Sequence, residues 1–537
     1  MADRVDVLIE GATVVDGTGA PGFTADVAIA GGRIAAVGRL ADTPATRRIE
    51  ADGAVVCPGF IDMHSHSDLS ILAHPDATSR IVQGITTELV GNCGHSPAPV
   101  VEETAEEMRR WHHASPAVYD FTWRSMADFF ARVEAAGPAT NQAALVGHGT
   151  VRAAVLGFAD RAPSADELAR MQALVADAMR DGAFGLSSGL IYAPGAYGTT
   201  AEVAALARAA APYGGFYATH MRDEADGLMD ALNEAITIGR EGGVPVQISH
   251  LKLAGTRQHG RAAEAIGLIE RARLSGVDAA ADFYPYTAGS TGLNAMLPPW
   301  VLDGGLNEMV ERLRSDEVRR RIAAEIEGGL AGWWNPIGAS GGWQVVLVTR
   351  VPSPERRDLQ GLRVDEIARR QGKAPIDAVA DLLIAEGGSV QIVLFMMDDR
   401  DVAQVARTPW VAMGTDGAAT SPAEAQSLVH PRTYGTTARF LGYVRSGDVA
   451  LEDAIARMTA QPARRLGLSD RGRIAPGQMA DVVVLDPATV EDRATYDNPH
   501  VAPAGFLHVF VNGVAALSGG AVTGERPGRV LRHRTPG

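Results

Sequence analysis

The chain has 537 residues, 49 of them basic and 64 acidic, which leaves a formal net charge of −15. With 46% hydrophobic and 21% charged residues it has globular composition, which excludes a disordered or fibrous chain. An acidic chain without basic runs does not suit nucleic acid or an anionic membrane, and no apolar run reaches the ~18 residues of a membrane span, so neither partner is expected.

The N-terminus, MADRVDVLIEGATVVDG, carries Asp and Arg where a signal peptide needs an apolar stretch, so a cytoplasmic protein is expected. From there to about residue 55, short alternating segments (VDVLIEG, ATVVDGTG, DVAIAGGRIAAVG) sit between turn signals and predict strands. The same texture returns near the C-terminus in GRIAPGQMADVVVLD and LHVFVNGVAALSGG. Two β-rich ends around a different middle predict a small β-sandwich built from residues 1–57 and 468–537.

Between them, at 58–467, apolar runs end in polar residues. They are Gly59–His64, Thr87–Cys93, Ala143–His148, Ala183–Ser188, Gly215–His220, Val244–His250, Val277–Tyr284 and Val411–Asp416. Helical patterns lie between several of them. In Asp226–Glu241, Leu228, Ala231, Leu232, Ala235 and Ile236 recur at helical spacing. Eight strands alternating with helices predict an α/β protein of the (β/α)₈ TIM-like barrel type. The stretch between the seventh and eighth strands is too long for a loop, so an inserted lobe or lid is expected between them at about 285–351. The run VQIVLFMM from Val390 is a rival for a barrel strand.

Functional residues of a parallel barrel sit at the C-terminal ends of its strands. Here those ends carry His64, Cys93, His148, His220, His250 and Asp416. His64 and His66 are two apart, so both rings point the same way from a strand. His220 and His250 end successive units. Together they predict a metal site, and thiolate with imidazole suits Zn²⁺. Cys93 reads either as a thiolate ligand or as a buried apolar residue, and Cys57 as the latter. With only these two cysteines, a disulfide framework is excluded.

Of the 49 basic residues only Lys252 and Lys373 are lysine, and Lys252 lies two after His250. Arg222 lies two after His220, and Arg432 follows the eighth strand. If the strands continue that far, these cations point into the cavity, and the expected partner is a small anionic substrate. His148 is a candidate for orienting a ligand from behind. His95, His112 and His113 read as surface or loop histidines. Trp333 and Trp334 read as the lobe's own core, or as a cover over an acyl chain.

At this point the sequence resembles the amidohydrolase superfamily, and within it the D-aminoacylase (N-acyl-D-amino-acid deacylase) family. The resemblance runs through PGFIDMHSHSD, GNCG, GHGT, SSGLIYAPG, THMRDE, QISHLK, DFYPYTAG, GTDG, HPRTYGT and GRIAPGQMADVVVLDP, essentially the whole chain. It implies a zinc held tightly by Cys93, His220 and His250, with a second, weaker metal position at His64 and His66. It implies that Asp416 is the catalytic acid/base and that Lys252, Tyr284, Ser290 and Arg432 bind the substrate carboxylate. The implied reaction is zinc-dependent hydrolysis of the amide bond of N-acyl-D-amino acids. The fourth strand, DGAFGLSSGL, has no lysine to be carbamylated, unlike dihydroorotases and hydantoinases of the superfamily. The stretch GAATSPAEAQSLV after Asp416 is longer than the family's usual one. Two other readings stay open at this stage: another zinc amidohydrolase acting on cyclic amides or other N-acyl compounds, and a non-catalytic oligomeric relative.

Overall fold

The computed structural model describes residues 4–111, 121–422 and 427–534. His112, His113 and the middle of GAATSPAEAQSLV lie outside the described residues. The eight apolar runs form short parallel strands: β1 (Phe60–Asp62), β2 (Ile85–Val90), β3 (Asn141–Ala144), β4 (Gly185–Gly189), β5 (Phe216–His220), β6 (Val246–Ile248), β7 (Ala279–Phe283) and β8 (Val411–Met413). They are buried almost throughout, which is why they read as continuous apolar runs rather than alternating ones.

These strands lie in two parallel arcs. One is β1-β2-β3; the other runs from Val146–Gly147 through β4, β5, β6 and β7 to β8. The arcs meet twice. Residues 141–147 leave one arc and enter the other, with Leu145 N donating to Val90 O at 2.9 Å. At the other seam, Asp416 N donates to His64 O and His66 N to Gly417 O, both at 2.7 Å. Backbone hydrogen bonds thus join the segments that follow β8 and β1, where the predicted site residues lie.

Helices cover the outer face. The helix Leu228–Gly242 buries Leu228, Ala231, Leu232, Ala235 and Ile236, the face predicted from spacing, and stops at Gly243 (φ 68°). Each Leu or Ile so buried contributes roughly 1.5–3 kcal/mol.

Both ends of the chain share one nine-stranded sheet. Val55–Pro58 pairs antiparallel with Val482–Leu485, which joins the N-terminal strands to the C-terminal ones. Cys57 sits inside that pairing, and burial pushes its thiol up, so it is inert. The last residues do not stay with this sheet. Gln142 N donates to Arg529 O at 2.8 Å, Leu531 N to Gln142 O at 2.7 Å and His533 N to Gly182 O at 2.9 Å, so the tail crosses the β3–β4 side of the parallel strands.

The insertion after β7 runs further than 351. Ala288–Gly292, Gln391–Phe395 and Val346–Arg350 form an antiparallel sheet with Gln391–Phe395 in the middle. The run from Val390 is thus the centre of the lobe and not a barrel strand, and the lobe's apolar core extends to Met396. Trp333 and Trp334 belong to that core.

Below the seam, Arg80 is fully buried. Its Nη1 donates to Thr415 Oγ1 at 2.7 Å and lies 3.5 Å from Asp62 Oδ2, and its Nη2 donates to Ala418 O at 2.6 Å. Glu88 Oε2 is 3.9 Å from Nε. Arg80→Met removes the cation and leaves two carboxylates buried without it. We expect a loss of about 3–5 kcal/mol, read as a lower denaturant midpoint. An unchanged midpoint would show that Asp62 and Glu88 do not depend on Arg80.

Candidate metal and catalytic centre

Three predicted site residues sit in left-handed backbone: Cys93 (φ 55°), His250 (φ 35°) and Asp416 (φ 51°). Such non-glycine positions cost about 1–3 kcal/mol each and persist only where the surroundings enforce them. Hydrogen bonds enforce two of them: His250 N donates to Asp282 Oδ1 at 2.7 Å and Asp416 N to His64 O. The Cys93 loop is enforced by close approach. A Cβ on Gly189 would lie 2.0 Å from Cys93 O, so only glycine at the end of β4 lets that loop in.

The turns bring five predicted ligands together. Cys93 Sγ lies 3.3 Å from His64 Nε2, 3.5 Å from His250 Nε2 and 3.7 Å from His220 Nδ1. Asp416 Oδ1 lies 3.1 Å from His66 Nε2 and 3.6 Å from His64 Nε2. Three overlapping groups of close donors result: Cys93 with His64 and His250, Asp416 with His64 and His66, and Glu224 with His220 and His250. Burial raises the Cys93 thiol, but the His64 and His250 charges and hydrogen bonds from His220 and His250 outweigh it and hold the group well below its usual range, as a thiolate. Burial keeps His220 neutral, the form that coordinates. His220 Nε2 and Glu224 Oε2 are buried without hydrogen-bond partners. A thiolate and imidazoles converging so closely fit a soft divalent cation.

Sequence reasoning missed the carboxylates behind these ligands. Glu224 Oε1 lies 3.2 Å from His250 Nδ1 and Glu224 Oε2 lies 3.5 Å from His220 Nε2. Asp282 Oδ1 lies 3.2 Å from His64 Nδ1. These carboxylates stand at ion-pair distance behind the rings, on the side away from Cys93. The signal for Glu224 was its place four residues after His220 in THMRDE. Asp282 was hidden within an apolar strand. Tyr192, whose ring lies 5.0 Å from His220, and His95, 5.0 Å from Tyr192, also reach the cavity.

The predicted substrate-binding residues separate into groups. Lys252 is buried, with Nζ 2.7 Å from both Glu224 Oε1 and His250 Nδ1, so its charge is shared with the ligand shell. Arg432 Nη1 forms an ion pair with Asp416 Oδ2 at 2.8 Å, and its guanidinium lies over the Tyr284 ring at 4.7 Å. Its Nε and the Tyr284 hydroxyl have no hydrogen-bond partner among the described residues. Ser290 lines the cavity, but its hydroxyl donates to Ile392 O at 2.8 Å.

Arg222 does not point into the cavity. β5 stops at His220, the strand alternation ends with it, and Arg222 turns to Glu234 (Nη2–Oε1 2.9 Å) and to the carbonyls of Ala196 and Gly198. His148 opens the helix that follows Val146–Gly147, and its Nε2 meets Glu202 Oε1 at 2.8 Å, a carboxylate shared with Arg152. It does not line the cavity.

Asp416 stands between His64, His66 and Arg432 at the centre. Burial raises its carboxyl, but Arg432, His250 and His64 outweigh this and hold it well below the ordinary carboxylate range, so it is ionised at neutral pH. The centre opens into a cavity of about 530 Å³ between the strand ends and the lobe.

The profile of the amidohydrolase family matches residues 47–516. A D-aminoacylase of Alcaligenes xylosoxydans xylosoxydans is 38% identical over 535 residues, 98% of this chain and 97% of its own. An N-acyl-D-glutamate deacylase of the same organism is 39% identical over 537 residues, 99% and 98% of the two chains. The solved N-acyl-D-glutamate deacylase of Bordetella bronchiseptica, complexed with zinc and a phosphonate mimic of the tetrahedral intermediate, is 35% identical. It superposes with a TM-score of 0.81 over 98% of this chain and 100% of its own.

Gly189→Ala puts a methyl group against Cys93 O. Overpacking of this kind costs about 1–3 kcal/mol, and here the strain falls on the loop that carries the thiolate. We expect metal per chain to fall below half the wild-type value, measured by atomic emission after dialysis. Full metal content would mean that the Cys93 loop shifts without losing its aim.

Proposed function

We propose, since the chain belongs to the amidohydrolase family, that it hydrolyses the amide bond of N-acyl-D-amino acids with bound zinc, giving a carboxylic acid and a free D-amino acid. We read the two arcs joined at both seams as the (β/α)₈ barrel, and the shared terminal sheet as the small β-sandwich. Cys93, His220 and His250 would hold the tight zinc, and His64, His66 and Asp416 a weaker position. Zinc there supplies a Lewis acid for the carbonyl and lowers the pKa of water from ~15.7 to ~7, on the order of 12 kcal/mol towards the nucleophile.

The chain's own residues do the rest. Asp416 Oδ1 takes the proton of the attacking water and returns it to the amine nitrogen as the C–N bond breaks, which spares the leaving group from departing as an anion. Arg432 steadies Asp416 through Oδ2 and, with Nε and the Tyr284 hydroxyl, offers donors to the substrate carboxylate. Those unsatisfied buried donors are the observation that carries the reading, because a buried donor left without a partner costs about 1–3 kcal/mol and a carboxylate would satisfy them. Lys252 holds Glu224 against His250 and His220 and so fixes which ring nitrogens face the metal. Among the described residues no helix is long and apolar enough to cross a membrane.

Asp416→Asn keeps the shape and removes the proton acceptor. Turnover of N-acyl-D-amino acids should fall by about 10² or more with zinc retained; loss of zinc would make Asp416 a ligand first. Amidating the substrate carboxylate should lower kcat/KM at least ~10-fold, and equal rates on acid and amide would remove the Arg432–Tyr284 anchor. Cys93→Ala should lose zinc and turnover together, whereas His66→Asn should keep close to one zinc per chain. The opposite result would move the tight position to the His64–His66 side.

A further inference from the structure

We infer that the cavity contains a subsite for a long or aromatic acyl chain, on the side of the mouth opposite the carboxylate anchor. The inference rests on the reading of the site as an N-acyl-amino-acid hydrolase and specifies which members of that class it takes.

Size is the first argument. N-acetyl-D-alanine has nine non-hydrogen atoms. Even if each took the ~30 Å³ that a water occupies in the liquid, they would fill only about half of the space. The cavity measures about 530 Å³, and pockets of ~300–1,000 Å³ bury ligands of drug size.

Direction is the second. The groups assigned to the carboxylate anchor come from one side: Lys252 follows β6, Tyr284 follows β7 and Arg432 follows β8. The facing wall comes from the other. Phe158 follows the helix after Val146–Gly147, Ile191 follows β4, and Leu302 and Leu306 come from the lobe. The lobe leans on that side, with Gly304 N donating to Phe158 O and Tyr197 Oη to Pro299 O, both at 2.9 Å. In an N-acyl-amino acid the carboxylate and the acyl chain leave the amide in opposite directions. With the carboxylate at Arg432 and Tyr284 and the carbonyl at the ligand cluster, the acyl carbons run towards Phe158, Ile191 and Leu302.

Polarity is the third. The charged residues on this wall are engaged elsewhere. Arg110 donates to Asn307 Oδ1 at 2.6 Å and to Gly387 O at 2.9 Å, and Glu107 accepts from Leu306 N. Phe158, Ile191 and Leu302 each keep 9% of their surface accessible while lining the cavity. Tyr192 and His95 stand beside them, the Tyr192 hydroxyl accepting from Thr291 Oγ1 at 3.2 Å, and Phe158, Ile191, Leu302 and Leu306 supply the apolar part of this wall.

The test is an acyl series on one D-amino acid host at a time (D-alanine, D-leucine and D-glutamate): acetyl, butanoyl, octanoyl and phenylacetyl, with zinc-loaded protein. Each fully buried methylene is worth about fourfold. Allowing for partial burial and ordering of the chain, kcat/KM for octanoyl should exceed that for acetyl at least ~10-fold on the best host. Leu302→Asn, which keeps the number and branching of the side-chain heavy atoms but makes them polar, should lower the octanoyl-to-acetyl ratio at least ~5-fold. Calorimetry on Asp416→Asn protein should rank the same compounds in the same order without turnover. Acetyl equal to or better than octanoyl in both rates and binding overturns the inference and leaves the amidase reading standing. Tight, chain-length-dependent binding with no turnover of any member by the wild type supports the subsite and overturns the amidase reading instead.

Discussion

Cys93 Sγ lies within 3.7 Å of ring nitrogens from His64, His220 and His250, and that crowding governs what surrounds it. A thiolate and three imidazoles cannot share a dry volume unless their lone pairs and protons are assigned, because each unsatisfied buried group carries its full desolvation cost. Carboxylates stand behind the rings, although His64 Nδ1, His220 Nε2 and Glu224 Oε2 keep no hydrogen-bond partner among the described residues. Glu224 faces the far nitrogens of His220 and His250, and Asp282 faces that of His64. The near nitrogens are thereby left facing the thiolate and the space around it. The carboxylates in turn need partners, which Lys252 and Gln247 supply at 2.7 and 2.9 Å.

The cost of this arrangement is met in the backbone. Left-handed conformations at Cys93, His250 and Asp416 aim three side chains from three different strand ends at one point. Straight extension of those strands would alternate the side chains and could not converge them. The closest approach comes where strand ends carry no side chain, as at Gly189 against Cys93 O. Glycine in GNCG and SSGL therefore has a packing role that is separate from the chemistry of the cysteine beside it.

The strand ends are legible in the sequence because buried parallel strands leave long apolar runs, and the polar residue that ends each run is where the pattern stops. Neither arc of the sheet needs long-range information to be seen. The lobe does. Its central strand, Gln391–Phe395, is separated by a helical segment from the two strands it joins, and an apolar run of that length reads equally well as a barrel strand. The C-terminal tail misleads for a related reason: its contacts with Gln142 and Gly182 lie more than three hundred residues away in sequence, and no local pattern announces them. Within the site, residues read by alternation hold only while the strand lasts. His64 and His66 both reach Asp416, although β1 ends at Asp62, because backbone bonds to the β8 loop keep that segment extended. Arg222 has no such support beyond β5 and turns outward to Glu234. Glu224 and Asp282 escape notice because acidic residues are common and nothing local marks one as facing a histidine.

Two cation–carboxylate pairs flank the ligand cluster, and they are not equivalent. Lys252–Glu224 is directed at ring nitrogens, and its charges are used up in the ligand shell. Arg432–Asp416 keeps one carboxylate oxygen towards His66 and His64 and leaves the guanidinium Nε unsatisfied above Tyr284. The first pair holds geometry, and the second can respond to a ligand. An arriving carboxylate would share Arg432 with Asp416, weakening the guanidinium's pull on Asp416 and raising that carboxyl's affinity for a proton. On the proposed reading, substrate binding at the anchor and basicity at Asp416 would be coupled through one guanidinium, and Asp416 would become a better base when there is substrate to attack.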